Sequence, residues 1–345
     1  MTSITLRRPD DLHLHVRDGD SMRSVLPFTA ARFARAVIMP NLRPPVTTAE
    51  HARAYRQRII DALPAGTPFE PLMTLYLTDR TDPAEADRAE SSGIVGFKLY
   101  PAGATTHSDA GVTDIRRIDA VLSRMEERDF VLQVHGEVTD PQVDVFEREA
   151  RFIDEVLTPL AARFPRLRIV LEHITTRAAV AFVRGSRGGI AATITPQHLL
   201  MNRNALFTGG IRPHHYCLPV LKSQPDRQAL LDVIASGDAR FFLGTDSAPH
   251  ARSAKEAACG CAGIFSAHGA LELYAEAFES AGALERLEAF ASEHGADFYR
   301  LPRNQGRLTL IKEPWEVPRS YPFGTEEIVP LRAGEHIGWR LVATP

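Results

Sequence analysis

The sequence predicts an α/β protein folded as a closed (β/α)8 barrel of the TIM type. Three observations carry this reading. Short apolar, β-rich runs recur eight times, amphipathic stretches lie between them, and the unusual polar residues gather at the C-terminal ends of the runs. The runs are residues 12–16, 36–39, 71–77, 95–100, 130–134, 168–171, 190–194 and 240–243. Between them, residues 49–62, 115–128, 142–161 and 227–235 carry apolar positions at helical spacing and suit the crossovers that parallel strands need. An open doubly wound sheet would offer fewer strands and a glycine-rich phosphate loop, and no such loop is found. Residues 307–311 and 337–342 alternate weakly between Pro-rich coil and read as a tail packed on the barrel. The 345 residues are therefore expected to form one unit, a barrel over about residues 8–300 and a tail over 301–345.

Composition narrows the function. Hydrophobic residues make up 44% and charged residues 24%, which argues against a disordered, collagen-like or disulfide-stapled chain. With 40 basic and 43 acidic residues the net charge is −3, so no strong field draws the chain to nucleic acid or to an anionic membrane. No apolar run approaches the roughly 20 residues of a bilayer span. The opening MTSITLRRPD lacks the apolar core of a secretion signal, so a cytoplasmic location is expected. Cys217, Cys259 and Cys261 are odd in number and have no disulfide spacing, which fits a reducing compartment. The pair Cys259 and Cys261 lacks the further ligands of a structural zinc site and reads as reduced thiols.

The chemistry lies at the strand ends. In DLHLHVRD (11–18), alternation along a strand sends His13 and His15 to one face, where both imidazoles can bind one metal. Two half-exposed histidines would give the same pattern. Lys98 stands inside the apolar run GFKLYP (96–101), in a chain whose only other lysines are Lys222, Lys255 and Lys312. Burying an ammonium is costly unless it is paired or neutralised. A snorkelling lysine is one explanation. The other is a neutral amine that takes up carbon dioxide to give a carbamate, an anion that can bridge two cations and that arginine cannot form. His135, His173 and Asp246 each close a further run, although Asp246 alone could equally be a helix N-cap. Four histidines, a lysine and an aspartate at the strand ends of one barrel together predict a site for zinc or a similar divalent ion. His198, His214 and His215 fall in or after the seventh connection and are read as hydrogen-bonded side chains outside it.

These residues also carry a resemblance. The segments RPDDLHLHVRDGD (8–20), MPNLRPPVTT (39–48), KLYPAGATT (98–106), VHGEVT (134–139), EHITT (172–176), ATITPQHL (192–199) and GTDSAPH (244–250) resemble the shorter bacterial type of dihydroorotase, within the amidohydrolase superfamily. The resemblance covers nearly the whole chain. It implies a barrel, usually homodimeric, that holds two zinc ions bridged by a carboxylated lysine and a hydroxide. Carried over position by position, His13, His15 and Asp246 would hold the more buried metal, His135 and His173 the other, and Lys98, as N6-carboxylysine, both. The implied reaction is the reversible cyclisation of N-carbamoyl-L-aspartate to L-dihydroorotate in pyrimidine biosynthesis. Arg17, Asn41 and His250 match a clamp for the substrate carboxylate, and backbone groups at Leu218 and Ala262 would face the ring amide. Thr105 and Thr106 match a mobile loop, and Asp246 would be the general acid and base.

The chain departs from the family pattern at SAHG (266–269), where Asn-Ala-Pro is common, and at Gly103 and His107, where asparagines are common. None of these is a proposed ligand, so they bear on loop packing and rate. Charge supports the reaction class independently. Two divalent cations against a carbamate, an aspartate and a hydroxide leave a site of about +1, which attracts an anionic substrate. Two rivals stay open: another cyclic-amide hydrolase such as a hydantoinase or allantoinase, which needs no carboxylate clamp, and a catalytically silent barrel serving as a scaffold, which would be expected to have lost ligands.

Overall fold

The computed structural model describes residues 2–258 and 260–342. A first strand, β1 (Ser3–Arg7), precedes eight strands: β2 (Asp10–Leu14), β3 (Arg35–Ile38), β4 (Glu70–Tyr76), β5 (Gly96–Leu99), β6 (Val131–Val134), β7 (Arg168–Leu171), β8 (Ile190–Ile194) and β9 (Phe241–Leu243). These eight form one sheet in sequence order, with every neighbouring pair parallel. Its two edges meet where the Asp246 amide donates to the His13 carbonyl at 2.9 Å and the His15 amide to the Ser247 carbonyl at 3.1 Å. The sheet is thereby closed, and all eight predicted runs are strands of the barrel.

Alternation sorts the side chains into floor and mouth. Leu12, Val37, Leu72, Val131, Val170 and Phe242 pack together in the interior, with Tyr299 against them. The residues two positions further along several strands, among them Gln133, Glu172 and Gly244, belong to the layer above. β2 is the exception. Its register against β3 shifts between Asp11 and Leu14, so Leu12 joins the floor while the adjacent His13 reaches the layer above. β2 also ends at Leu14, two residues earlier than the pattern predicts, and leaves His15 just past the strand.

Outside the barrel, the helix Ala49–Ala62 has the predicted bounds, and the Thr48 hydroxyl caps it by accepting from the His51 amide at 3.2 Å. It buries Ala52, Tyr55 and Ile59, one helical face. Gln224–Ser236 runs from the cap Ser223 to Gly237, whose φ of 72° supplies the left-handed stop. Residues 142–161 are not one helix. Asp140 accepts from the Gln142 amide and Asp144 from the Phe146 amide, both at 2.9 Å, and these turns delay the helix until Arg148–Phe152. It then widens into a π-turn at Ile153–Leu157 before Thr158–Arg163. Residues 115–128 likewise open with a 3₁₀ turn, Ile115–Ile118, before the α-helix Asp119–Glu127.

In the tail, β10 (Arg307–Ile311) pairs antiparallel with β1 on one side and with Arg340–Leu341 on the other. Among the described residues, no helix is long and apolar enough to cross a membrane.

Candidate active site

The mouth of the barrel holds a small cavity lined by His13, His15, Arg17, Asn41, Tyr100, Thr105, Thr106, His135, His173, Leu218, Asp246 and Ala262, among others. Arg17, His173 and Asp246 hold φ of 62°, 43° and 43°, a region that non-glycine residues rarely adopt and that costs of order 1–3 kcal/mol each. Neighbouring bonds hold two of them. The His173 amide donates to the Thr193 hydroxyl at 2.7 Å and the Asp246 amide to the His13 carbonyl at 2.9 Å. Beneath Asp246, Asp11 accepts from the Thr245 amide at 2.9 Å and from its hydroxyl at 2.6 Å. Burial pushes Asp11 up to about 7, against those bonds.

His13, His15 and Asp246 each offer a ligand atom, and these atoms lie within 4.8 Å of one another in a buried group suited to a metal ion. The Nε2 atoms of His13 and His15 stand 3.4 and 3.2 Å from Asp246 Oδ1. His13 turns its other nitrogen, Nδ1, to Glu172 Oε2 at 2.9 Å, and the Thr193 hydroxyl donates to that same carboxylate oxygen at 2.5 Å. A carboxylate behind a ligating imidazole fixes its tautomer and raises its basicity. His135 is held likewise, its Nε2 2.8 Å from Glu137 Oε2. His173 joins the two halves, with ring centroids 5.0 Å from His13 and 4.9 Å from His135.

Lys98 is fully buried, its Nζ without a hydrogen-bond partner among the described residues and 5.0 Å from the centre of the Tyr100 ring. Burial brings its pKa down to about 8, against the pull of Glu172 and Asp246. Burial also holds His13, His15 and His173 below the usual imidazole value, and raises Asp246 against the nearby His13 and Lys98. His15 Nδ1 and His173 Nδ1 are buried without partners among the described residues. Buried polar nitrogens left unpaired are costly. Neutral imidazoles, a carboxylate and a depressed amine are what a divalent cation needs, so the residues present fit a metal centre.

The same mouth carries the residues of the predicted clamp. The Arg17 guanidinium is half-buried, donates through Nε to the Pro249 carbonyl at 2.8 Å, and meets His250 Nε2 at 2.9 Å. The same Nε2 stands 3.1 Å from the Ala262 carbonyl, so it lies between a donor and an acceptor. Burial, and then the Arg17 charge, keep His250 far below the usual imidazole range. Asn41 Nδ2 donates to the Thr106 carbonyl at 3.2 Å. Thr106 also lies across Ala262, its hydroxyl accepting from that amide at 3.2 Å and standing 3.4 Å from that carbonyl. The loop 101–111 is thus shut over the cavity. Inside it, the Ser108 hydroxyl donates to the Thr105 carbonyl at 2.6 Å, and a Cβ on Gly111 would stand 2.4 Å from the Tyr100 carbonyl.

All thirteen predicted residues therefore meet at one end of the barrel. Glu172, Glu137, Thr193 and Tyr100 escaped the sequence reading. A carboxylate inside or beside an apolar strand was the available signal for the first two. Tyr100, stacked on Tyr76 at 5.1 Å, has a buried hydroxyl without a partner. His198 lies apart from the ligand group, bonded to the Thr195 hydroxyl at 2.7 Å and the Pro219 carbonyl at 3.0 Å. His214 meets Glu256 and His215 the Ala205 carbonyl, at 2.9 and 2.8 Å. Cys217 and Cys261 are free thiols, and Cys259 lies outside the described residues.

Comparison with known proteins gives a consistent picture. Residues 11–318 match the amidohydrolase family. A dihydroorotase of Nitrosomonas europaea is 67% identical over 341 residues, covering 98% of each chain. Among solved structures, a dihydroorotase from Campylobacter jejuni is 36% identical with a TM-score of 0.90, covering 99% of this chain and 97% of that one. A dihydroorotase from Saccharomyces cerevisiae in complex with 5-fluoroorotic acid is 32% identical with a TM-score of 0.91 over the full length of both.

Proposed function

This chain belongs to the amidohydrolase family and, within it, to the dihydroorotases, and on that premise we propose how its barrel mouth performs the reaction. His13, His15 and Asp246 would hold one divalent ion, His135 and His173 a second, and Lys98 as N6-carboxylysine would bridge them, with zinc the best match to this donor set. When bound there, metal would supply Lewis-acid polarisation of a carbonyl and a lowered pKa for a water. The residues of the chain do the rest. Arg17, Asn41 and His250 bind the substrate carboxylate, and the backbone at Leu218 and Ala262 meets the ring amide. Asp246 takes the proton of the attacking water and passes it to the leaving amide nitrogen. Ring closure of N-carbamoyl-L-aspartate reverses these transfers and consumes a proton, so lower pH favours L-dihydroorotate. The loop 101–111 is the lid. Thr106 now bonds the Ala262 groups that the ring amide would take, so substrate displaces that contact on entry. A homodimer and a cytoplasmic location complete the proposal, on the family likeness alone.

One observation carries this reading: a half-buried guanidinium faces the same cavity as the His-His-Asp group. A neutral cyclic amide gives such a group nothing to pair with, and a silent scaffold would not need all six ligand positions filled. Arg17→Met should lower kcat/KM for dihydroorotate by the equivalent of about 2–5 kcal/mol, as for losing one partner of a desolvated charge pair. Dihydrouracil, which lacks the carboxylate, should be turned over equally poorly by both forms. Equal losses for the two compounds would make Arg17 structural and return the hydantoinase-like reading.

A further inference from the structure

Lys255 is a buried lysine that the mechanism does not use. It ends the short helix Arg252–Lys255, is 3% exposed, and has no Asp or Glu partner among the described residues. Its Nζ instead donates to three backbone carbonyls, those of Tyr216 at 2.7 Å, Cys261 at 2.8 Å and Gly263 at 2.7 Å. All three ammonium hydrogens are therefore used. The acceptors belong to the two segments that face the cavity. Tyr216 lies two residues before Leu218, and Cys261 and Gly263 flank Ala262. The Gly263 amide also donates to the Tyr216 carbonyl at 3.0 Å, so the segments are joined at one place. With its neighbours' carbonyls turned toward Lys255, Ala262 lines the cavity, its amide meeting the Thr106 hydroxyl at 3.2 Å and its carbonyl meeting His250 Nε2 at 3.1 Å and Thr106 at 3.4 Å.

We propose that Lys255 is a positioning residue for ring recognition: its ammonium gathers three carbonyls and so sets the distance and angle between the Leu218 and Ala262 backbones. A tetrahedral ammonium can serve three converging acceptors, whereas the planar guanidinium of arginine cannot. Burial brings Lys255 down to about 8, which leaves it an ammonium at neutral pH. The proposal rests on the reading that Leu218 and Ala262 meet the ring amide.

The test uses the metal-loaded enzyme and measures Kd for dihydroorotate and for its two ring N-methyl derivatives. The unaltered protein should bind at least one methylated ring about tenfold or more weakly, as one lost amide hydrogen bond can do. In Lys255→Met that preference should shrink to near parity, while metal content and the preference for dihydroorotate over dihydrouracil are kept. A methyl preference that survives intact in Lys255→Met overturns the proposal. Absence of any preference in the unaltered protein overturns the Leu218 and Ala262 reading, and the proposal with it. Should Lys255→Met fail to fold, Lys255→Arg makes the same prediction, because its planar fork misaligns the same carbonyls.

Discussion

Asp246 stands in a backbone conformation it would not choose, held by the His13 carbonyl and by the anchored Thr245 beneath it. Strain of this kind survives where it aims a side chain, here at His13 and His15. Asp246→Asn preserves the shape and removes the base. Its kcat should fall by roughly 10²–10⁴-fold with a smaller change in KM, plus whatever weaker metal binding adds. A nearly unchanged kcat with a raised KM, in steady-state assays run in both directions, would make Asp246 a binding residue. At this scale the sequence was most legible where residue types are scarce. Lys98 stands out in a chain with four lysines, and histidines at strand ends announce themselves. Glu172 and Lys255 were not legible, because their meaning lies in partners 159 positions away in the first case and in backbone carbonyls in the second.

Strand positions were read from apolar runs and helix positions from periodicity, and both signals weaken where side chains bond the local backbone. The stretch 142–147 shows this: Asp140 and Asp144 turn the chain in ways an apolar pattern does not register. The shift in β2 is another case, since alternation alone would separate Leu12 from His13. The loop 101–111, proposed as a lid, was picked out by its small residues and its glycines at Gly103 and Gly111. Gly103 has φ of 79°, and Gly111 has no room for a Cβ. Replacing Thr105 and Thr106 by alanine removes the contact with Ala262. The double variant should lose kcat/KM while keeping its metal, and its hydrogen exchange over 101–111 should respond less to saturating substrate. Normal turnover would show the loop to be an ordinary turn.

The whole molecule is tied together by contacts distant in sequence, such as β1 with β10, and by buried polar groups at the mouth. His198 links stability to pH. Burial pushes it down to about 4, against its bond to the Pro219 carbonyl, whereas the unfolded chain has an ordinary imidazole near 6.5. Between those values the unfolded chain binds a proton that the folded chain does not. The contribution of His198 is therefore complete above about pH 6.5 and is lost as pH falls toward 4, by roughly 3 kcal/mol at about 1.4 kcal/mol per unit. Urea midpoints at pH 7 and 4.5 should differ less in His198→Gln than in the unaltered protein, and parallel shifts would assign the acid sensitivity elsewhere. The central claim is that a buried, unpartnered lysine completes a two-metal centre, and elemental analysis of protein purified without chelator tests it most directly. Two divalent ions per chain are expected in the unaltered protein and less than one in Lys98→Ala; two ions retained by Lys98→Ala would contradict the bridging role of Lys98.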